Sequence, residues 1–154
     1  MSRYVAHVHV PLQAEDAFAY MADLRNFQKW DPGVTQVEQV VGDGGGGDAE
    51  FDVTVKGFTG PMTLRYRTVE HVPSSRVVAR ADSERLTSVD IITVEPHDRG
   101  SVVTYDAQLT IGGALRIADP LLGLAFKRIG DRAARGLAAA LDGSITDAGR
   151  GDRS

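Results

Sequence analysis

The chain contains no cysteine among its 154 residues. Disulfides, thiolate zinc sites, iron–sulfur clusters and a cysteine nucleophile are therefore excluded, and redox chemistry would require a borrowed cofactor. Long apolar runs are also missing. The longest one, near Leu121, is interrupted by Lys127 and Arg128 and falls short of the roughly 18 apolar residues of a membrane span. The sequence predicts no membrane span, no bound metal and no cofactor.

The sequence also has few lysines and no net positive charge. Lysine occurs only at Lys29, Lys56 and Lys127 among the 17 basic residues, and the formal net charge is −4. This balance argues against the broad basic surface of a nucleic-acid-binding protein. The arginine-rich composition is typical of GC-rich bacterial genomes. Because the N-terminal residues lack the basic start and apolar core of a signal peptide, we expect a cytoplasmic protein.

The overall amino-acid composition is that of one folded domain. Hydrophobic residues make up 42% and charged residues 25% of the chain, both near the averages of soluble globular proteins. A chain of this length buries about two-thirds of the surface that its unfolded form exposes. We expect a single domain over residues 1–142 and a flexible tail at 143–154, where Ile145 is the only large apolar residue.

Alternating apolar residues predict seven strands. In the first, at residues 5–10, Ala6, Val8 and Val10 share one face, and His7 and His9 share the other. Two short helices follow, and then six strand candidates bounded by turn residues, at 35–41, 49–56, 62–71, 77–82, 86–95 and 101–111. The short connections between these strands imply antiparallel neighbours.

A long amphipathic helix comes last. Asp119 before Pro120 marks its start, and Asp142 and Gly143 mark its end. Its apolar face consists of Leu122, Phe126, Ile129, Ala133, Leu137 and Ala140, and its polar face of Arg128, Asp131, Arg132 and Arg135. One helix, about 10–12 Å wide, covers a face of the sheet without filling the concavity of a twisted seven-stranded sheet. We expect a cavity between them.

The order and spacing of these elements carry a family resemblance. Val8-His9-Val10-Pro11 opens the pattern, and further segments follow at residues 14–18, 22–33, 68–73 and 100–105. Together they resemble the polyketide cyclase/dehydrase and SRPBCC families of the START-like superfamily, over about residues 3–141. The resemblance implies an α+β helix-grip fold with a hydrophobic cavity for a lipid, a polyketide or another apolar molecule. It implies no shared catalytic residues, since the superfamily includes both enzymes and carriers.

The more apolar face of each strand and of the last helix predicts which side chains line the cavity. From the sheet these are Phe51, Val53, Leu64, Tyr66, Ile92, Tyr105 and Leu109, and from the helix Leu122, Phe126 and Ile129. A buried phenol requires a hydrogen-bond partner. The sequence leaves two kinds of partner open: a carbonyl or hydroxyl of the ligand, or a neighbouring group of the protein.

Asp90 is the strongest candidate for a side chain that takes part in proton transfer or ligand binding. It shares the apolar phase of its strand with Leu86, Ser88, Ile92 and Val94, which turns its carboxyl toward the cavity. A carboxyl in an apolar cavity has a raised pKa and can donate a proton or orient a ligand hydroxyl. A shift of the strand by one residue would instead point Asp90 at solvent.

The four histidines offer weaker candidates. His7 and His9 have a spacing that suits two metal ligands, but they lie opposite the apolar face of their strand and no third ligand can be identified. We expect both to face solvent. His71 and His97 lie near turns, where the sequence places no serine or carboxylate to complete a catalytic triad.

These features favour a protein that binds a small hydrophobic molecule, such as a lipid or a polyketide, in its cavity. The first alternative is an enzyme resembling polyketide aromatase/cyclases, in which Asp90 and the tyrosines hold and protonate a folded polyketide. The second alternative is a protein-interaction module that uses the outer face of the sheet. The pattern carries no signal for an oligomeric state.

Overall fold

The computed structural model of the chain describes residues 1–57, 60–112 and 119–150, without the side chains of residues 119–122 and 150. The strands are β1 (Ser2–Val10), β2 (Val34–Val41), β3 (Glu50–Val55), β4 (Met62–Val72), β5 (Arg76–Asp82), β6 (Leu86–His97), β7 (Gly100–Ile111) and β8 (Ser144–Arg150). The helices are α1 (Ala14–Ala22), α2 (Phe27–Trp30) and α3 (Asp119–Ala140), with a 3₁₀ turn at Leu24–Asn26. The seven predicted strands agree with these bounds to within three residues at either end.

All strands belong to one antiparallel sheet in the order β2-β3-β4-β5-β6-β7-β1-β8. Strands β2 to β7 lie beside their neighbours in sequence, as the short connections predicted, and β1 pairs with β7 so that Val8 lies opposite Val103. The helix α3 packs against β1, β8 and α2. The fold is the expected helix-grip fold, with eight strands where the sequence predicted seven.

The eighth strand occupies residues for which the sequence predicted a flexible tail. β8 pairs antiparallel with β1, from Tyr4 opposite Arg150 to His9 opposite Ser144. The Thr146 hydroxyl also donates to the carbonyl oxygen of His7, at 3.2 Å. The flexible tail was predicted from the small polar side chains of this segment. Strand pairing uses backbone groups that every residue but proline carries in full, so the free edge of β1 can order such a segment.

The short helices form where the sequence placed them. In α1 the buried side chains include Ala17, Phe18 and Met21, which repeat at helical spacing. After it, the Asp23 carboxylate accepts a hydrogen bond from the backbone amide of Arg25, at 3.1 Å, and so caps the 3₁₀ turn. These elements bring the chain to the turn that precedes β2.

Close contacts fix α3 over the sheet. Gly136 lies against the carbonyl oxygen of Trp30, and a Cβ at Gly130 would overlap the ring of Tyr4. The Tyr4 hydroxyl donates to Asp131 Oδ1 at 2.8 Å. The sequence had placed Asp131 on the polar face, but it adjoins buried Gly130, where the helix lies on β1. The glycines thus allow a close approach that larger side chains would prevent.

The predicted apolar face of α3 is confirmed in its second half at Ala133 and Leu137, which are buried. Phe126 is half-buried, and Ile129 is 38% exposed. Ala140, predicted on the same face, is exposed at the last residue of the helix, where the chain turns toward β8. Among the described residues, no helix is long and apolar enough to cross a membrane.

Candidate functional site

A cavity of about 360 Å³ lies between the sheet and α3, a volume typical of small-molecule sites. Its walls come from β3, β4, β6 and β7, from the loop after α2, and from the middle of α3. Most lining side chains are apolar, among them Val53, Leu64, Leu109, Phe126 and Ile129. The helix therefore covers the concave face without filling it, as the sequence predicted.

Eight of the side chains that the sequence assigned to the cavity line it: Val53, Leu64, Tyr66, Asp90, Tyr105, Leu109, Phe126 and Ile129. Leu122 belongs to α3, but its side chain lies outside the described residues. Phe51 and Ile92 are not among the lining residues and are fully buried in the core. Strand alternation specifies a face of the sheet, but not how far the cavity extends along it. Here α1 packs against β6 and β7 and covers part of that face.

Three charged side chains line the cavity without having been assigned to it: Asp31, Lys56 and Arg132. The sequence placed Arg132 on the polar face of the last helix, and the side chain is exposed, but it also borders the cavity. Arg132 follows Ile129 by three residues, which is about 60° around the helix axis, so its long side chain can reach the cavity from the border of the apolar face. For Asp31 the only signal was the turn at residues 30–33. Lys56 was the last residue of the strand predicted at 49–56, but β3 ends at Val55, so strand alternation does not set the direction of Lys56.

Four polar side chains meet on the inner wall of the cavity: Tyr66, Ser88, Asp90 and Tyr105, which we term the buried polar group. The Tyr66 hydroxyl donates to Ser88 Oγ at 2.6 Å, and the Tyr105 hydroxyl donates to Asp90 Oδ1 at 3.2 Å. All four residues are at most 9% exposed. Both tyrosines therefore have partners within the protein, the second of the two arrangements that the sequence left open.

The strand register explains how Asp90 and Tyr105 meet. Asp90 lies opposite Ala79 on one side and Ala107 on the other, and Tyr105 lies one inward-facing position along β7, opposite Ile92. The small alanine side chains leave room beside the carboxyl, so the phenol can reach it diagonally. The structure thus places Asp90 inward, as the phase of β6 predicted.

The environment of Asp90 favours its protonated form. Its burial raises the pKa of the carboxyl to about 7, the hydrogen bond from Tyr105 opposes that rise, and the charges of Asp31 and Asp106 add to it. A substantial fraction of Asp90 is therefore protonated near neutral pH. Within the described residues only Oδ1 accepts a side-chain hydrogen bond, which leaves Oδ2 for a molecule in the cavity.

The two tyrosines of the buried polar group remain protonated throughout the physiological range. Burial raises the pKa of both Tyr66 and Tyr105, and the carboxyl of Asp90 raises it further. The inner wall thus presents three neutral hydroxyl groups and one carboxyl that is partly protonated near neutral pH. Such a wall suits a neutral carbonyl or hydroxyl of a ligand better than a charged group, because no fixed counter-charge is present.

Asp31, Lys56 and Arg132 form a second polar set, which we term the charged rim. Asp31 is half-buried, and its Oδ1 accepts a hydrogen bond from the backbone amide of Gly33 at 2.8 Å. Burial raises the pKa of Asp31 to about 6, although the Gly33 amide and the charge of Lys56 oppose that rise. Lys56 and Arg132 are exposed, so the cavity opens to solvent on this side.

The histidines lie away from the cavity. His7 Nδ1 is 2.9 Å from the Thr104 hydroxyl, and the ring of His9 meets that of His97 edge to face, with centroids 4.7 Å apart. Both His7 and His9 are half-buried, where the sequence predicted solvent-facing side chains. Among the described residues, no three histidine or carboxylate side chains come close enough together to hold a metal ion.

The order of elements and the cavity between sheet and helix agree with a family match that spans most of the chain. The profile of the polyketide cyclase / dehydrase and lipid transport family matches residues 1–142. The chain belongs to this family. The matched region runs from β1 to the end of α3 and includes every cavity residue named above. No curated protein matches the chain in sequence.

Several solved structures share the fold of this family member. A START superfamily protein from Mycobacterium smegmatis has a TM-score of 0.72 at 11% identity, covering 92% of this chain and 98% of that one. The Zhui aromatase/cyclase from Streptomyces has a TM-score of 0.71 at 12% identity, covering 90% of each chain. The di-domain ARO/CYC StfQ from the steffimycin biosynthetic pathway has a TM-score of 0.66 at 14% identity, covering 92% of this chain and 51% of that one. The present chain thus spans about half the length of StfQ.

Proposed function

We propose that this family member binds a small hydrophobic molecule in the cavity between the sheet and α3. The observation that carries the proposal is the cavity itself, about 360 Å³ with mainly apolar walls. Protein interiors are normally close-packed, so open space of this size between apolar walls suits an apolar guest. Burial of the guest would contribute about 25 cal/mol for each Å² of apolar surface removed from water.

The lining side chains define the expected contacts. In this proposal the apolar body of the ligand contacts Val53, Leu64, Leu109, Phe126 and Ile129, which all line the cavity. A neutral carbonyl or hydroxyl of the ligand reaches the buried polar group, where the carboxyl of Asp90 can donate to it. A lipid or a polyketide fulfils both requirements, since each combines an apolar body with neutral oxygen groups.

Native mass spectrometry of protein purified from its own host tests the proposal. We expect a stoichiometric adduct whose released compound is apolar. Ala107→Phe, which places a ring in the cavity beside Asp90, should abolish the adduct while the protein remains folded. Val69→Phe is the matched control, because Val69 is 50% exposed on the outer face of β4. An adduct that survives Ala107→Phe unchanged would place the ligand elsewhere.

A polyketide cyclase/dehydrase reaction is the second candidate, favoured by two carboxyls that line one cavity with different pKa values. Asp90, with a pKa of about 7, can supply a proton, whereas Asp31, with a pKa of about 6, is mostly ionised at neutral pH and can accept one. In a dehydration, Asp90 would protonate a departing hydroxyl. Asp31 would take the proton from the adjacent carbon, so that a carbon–carbon double bond forms and water leaves.

Asp90→Asn separates the two functions. The host's small-molecule extract is incubated with wild-type protein and with the variant, and the bound compounds are compared by mass spectrometry over time. If the protein is an enzyme, the wild type converts the bound compound with loss of water, and the variant retains it unconverted at nearly the same occupancy. Asp52→Asn, on an outer-face carboxylate paired with Arg65, is the control that leaves turnover unchanged. Equal conversion by wild type and Asp90→Asn would contradict this role of Asp90.

A further inference from the structure

The proposed ligand contacts use the apolar walls and the buried polar group, and they give no role to two other lining residues, Lys56 and Arg132. Both residues line the cavity and both are exposed. Within the described residues, neither side chain forms an ion pair or a hydrogen bond. Other basic side chains do form ion pairs with carboxylates: Arg3, Arg25, Arg65, Arg76, Arg80 and Lys127.

The loop after α2 brings the two cations to one side of the cavity opening. The backbone amide of Lys56 donates to the carbonyl oxygen of Gly33 at 3.0 Å, which joins the end of β3 to this loop. On its other side, Gly33 lies beside Ile129 of α3. Arg132 follows Ile129 by nearly one helical turn. Lys56 and Arg132 therefore approach the same loop, one from the sheet and one from the helix.

Among the described residues that line this opening, positive charges outnumber negative charges. Asp31 is the one carboxylate that lines the cavity beside Lys56 and Arg132 among the described residues, apart from Asp90 on the inner wall. Asp31 already accepts the hydrogen bond of the Gly33 amide. Two cations thus face one half-buried carboxyl. The rim carries an excess of positive charge, although the chain as a whole has a net charge of −4.

We propose that the ligand is an amphipathic anion, whose apolar body fills the cavity while a carboxylate, sulfonate or phosphate group binds Lys56 and Arg132 at the charged rim. This inference rests on the proposed hydrophobic-ligand function and specifies the chemical class of the ligand. Both cations supply charge-assisted hydrogen bonds, and the arginine fork matches the paired oxygens of such groups.

Two fluorescent dyes test the inference. Anilinonaphthalene sulfonate and phenylnaphthylamine share their ring system, and only the first carries an anionic group. In fluorescence titrations of the wild type we expect both dyes to bind, the sulfonate dye more tightly. Lys56→Gln and Arg132→Gln should each weaken binding of the sulfonate dye by roughly three- to tenfold, which is less than the effect of a buried charge-assisted hydrogen bond because both side chains are exposed. Affinity for the neutral dye should stay within about twofold, since removal of a charge costs an uncharged dye little.

Arg128→Gln is the matched control, because Arg128 is an exposed arginine of the same helix that does not line the cavity. It should leave the affinities for both dyes unchanged. If Arg128→Gln weakens binding of the sulfonate dye as much as Arg132→Gln does, the dye is attracted by the helix surface in general and not by the rim, and the inference is overturned. The thermal unfolding midpoints of all three variants establish that each remains folded.

The outcomes also separate this inference from the function on which it rests. If the neutral dye binds and the sulfonate dye binds no more tightly, or is insensitive to both rim variants, the anionic group is refuted and hydrophobic binding stands. If neither dye binds, and the Ala107→Phe comparison by native mass spectrometry shows no cavity ligand either, the proposed function fails and the inference fails with it.

Discussion

The inner wall and the rim of the cavity each carry an aspartate, but the protein holds the two in different ways. Asp90 is 4% exposed and accepts a hydrogen bond from Tyr105, whereas Asp31 is half-buried and accepts one from a backbone amide. Burial raises the pKa of both, to about 7 and about 6. Deeper burial and the charges of Asp31 and Asp106 favour the protonated form of Asp90, whereas the Gly33 amide and Lys56 favour the ionised form of Asp31.

The two regions also differ in how their residues come together. The buried polar group stands on β4, β6 and β7 of one sheet, with β5 between β4 and β6, so the hydrogen-bond register of the sheet sets the distances between its members. The charged rim joins a loop, a strand end and a helix, and depends on the packing of α3 against the loop. We therefore expect the structure of the inner wall to depend mainly on hydrogen bonding and protonation. We expect the structure of the rim to depend mainly on helix packing.

The largest expected effect comes from Asp90→Asn, which removes the titrating carboxyl of the inner wall. The folded pKa of about 7 lies above the unfolded value of about 3.9, so between these values the folded state holds a proton that the unfolded chain has lost. The free energy of unfolding therefore falls as the pH rises through this window and levels off above it. From about pH 5 to pH 8, Asp90 should account for a fall on the order of 3 kcal/mol.

Urea denaturation at both pH values measures this fall, and the asparagine variant should lose most of it. Asp52→Asn is the control, because its partner Arg65 lowers the pKa of Asp52, so its contribution is already constant above about pH 5. An equal fall in wild type and Asp90→Asn would mean that the carboxyl is already ionised in the folded protein at about pH 5, which contradicts the raised pKa.

Gly136→Ala tests the packing on which the rim depends. A Cβ at this position would overlap the carbonyl oxygen of Trp30, so α3 or the loop after α2 must move. Overpacking costs about 1–3 kcal/mol and should exceed the gain of about 1 kcal/mol in helix propensity. We expect a lower free energy of unfolding in chemical denaturation and weaker binding of the sulfonate dye.

Gly149→Ala is the control for that substitution, since a Cβ there meets no atom within 4 Å. Should Gly136→Ala stabilise the protein, helix propensity would outweigh the contact, and the close approach of helix and loop would have no energetic role.

Tyr66→Phe removes one hydrogen bond from the inner wall without removing the ring. The Ser88 hydroxyl, 9% exposed, would lose its only side-chain partner among the described residues. We expect a destabilisation of about 1–2 kcal/mol, the usual cost of an unpaired buried polar group. In a double-mutant cycle with Ser88→Ala, the combined change should cost less than the sum of the two. Full additivity would show that the two hydroxyls do not interact.

The smallest expected effect links the two regions directly. The negative charge of Asp31 is one of the causes that raise the pKa of Asp90, so Asp31→Asn should lower that pKa. Titration of the Asp90 carboxyl carbon by nuclear magnetic resonance measures the shift, with Asp52→Asn as a charge-matched control on the outer face. An unchanged or raised pKa would mean that the rim and the inner wall are electrostatically independent.

Much of this arrangement follows from local sequence patterns. Apolar alternation predicted that Val53, Leu64 and Tyr105 face inward, and the structure confirms these positions. The phase of β6 predicted the same for Asp90, the one polar candidate for chemistry. Alternation has a period of two residues and needs no knowledge of distant parts of the chain, which is why it succeeded here.

Other features depended on parts of the chain that are distant in sequence. Phe51 and Ile92 face inward but lie in the closed core, because the extent of the cavity depends on where α1 and α3 rest on the sheet. Arg132 reaches the cavity because α3 is rotated so that the border of its apolar face meets the opening. The periodicity of a helix identifies its apolar face. It does not specify where the helix packs on the sheet or how it is rotated relative to the cavity.

The sequence by itself specified the α+β order of elements and the more apolar face of each strand, since both follow from short-range periodicity and turn chemistry. The family resemblance added the helix-grip fold, and the structure decided between the two orientations that the sequence left open for Asp90. Only the tertiary structure decided the eighth strand, the partners of the two tyrosines and the charged rim. These features arise where segments far apart in sequence meet: β8 on the edge of β1, Tyr66 of β4 with Ser88 of β6 across β5, and Lys56 with Arg132 at the cavity. Local patterns specify what each segment can present, and long-range packing decides what it meets.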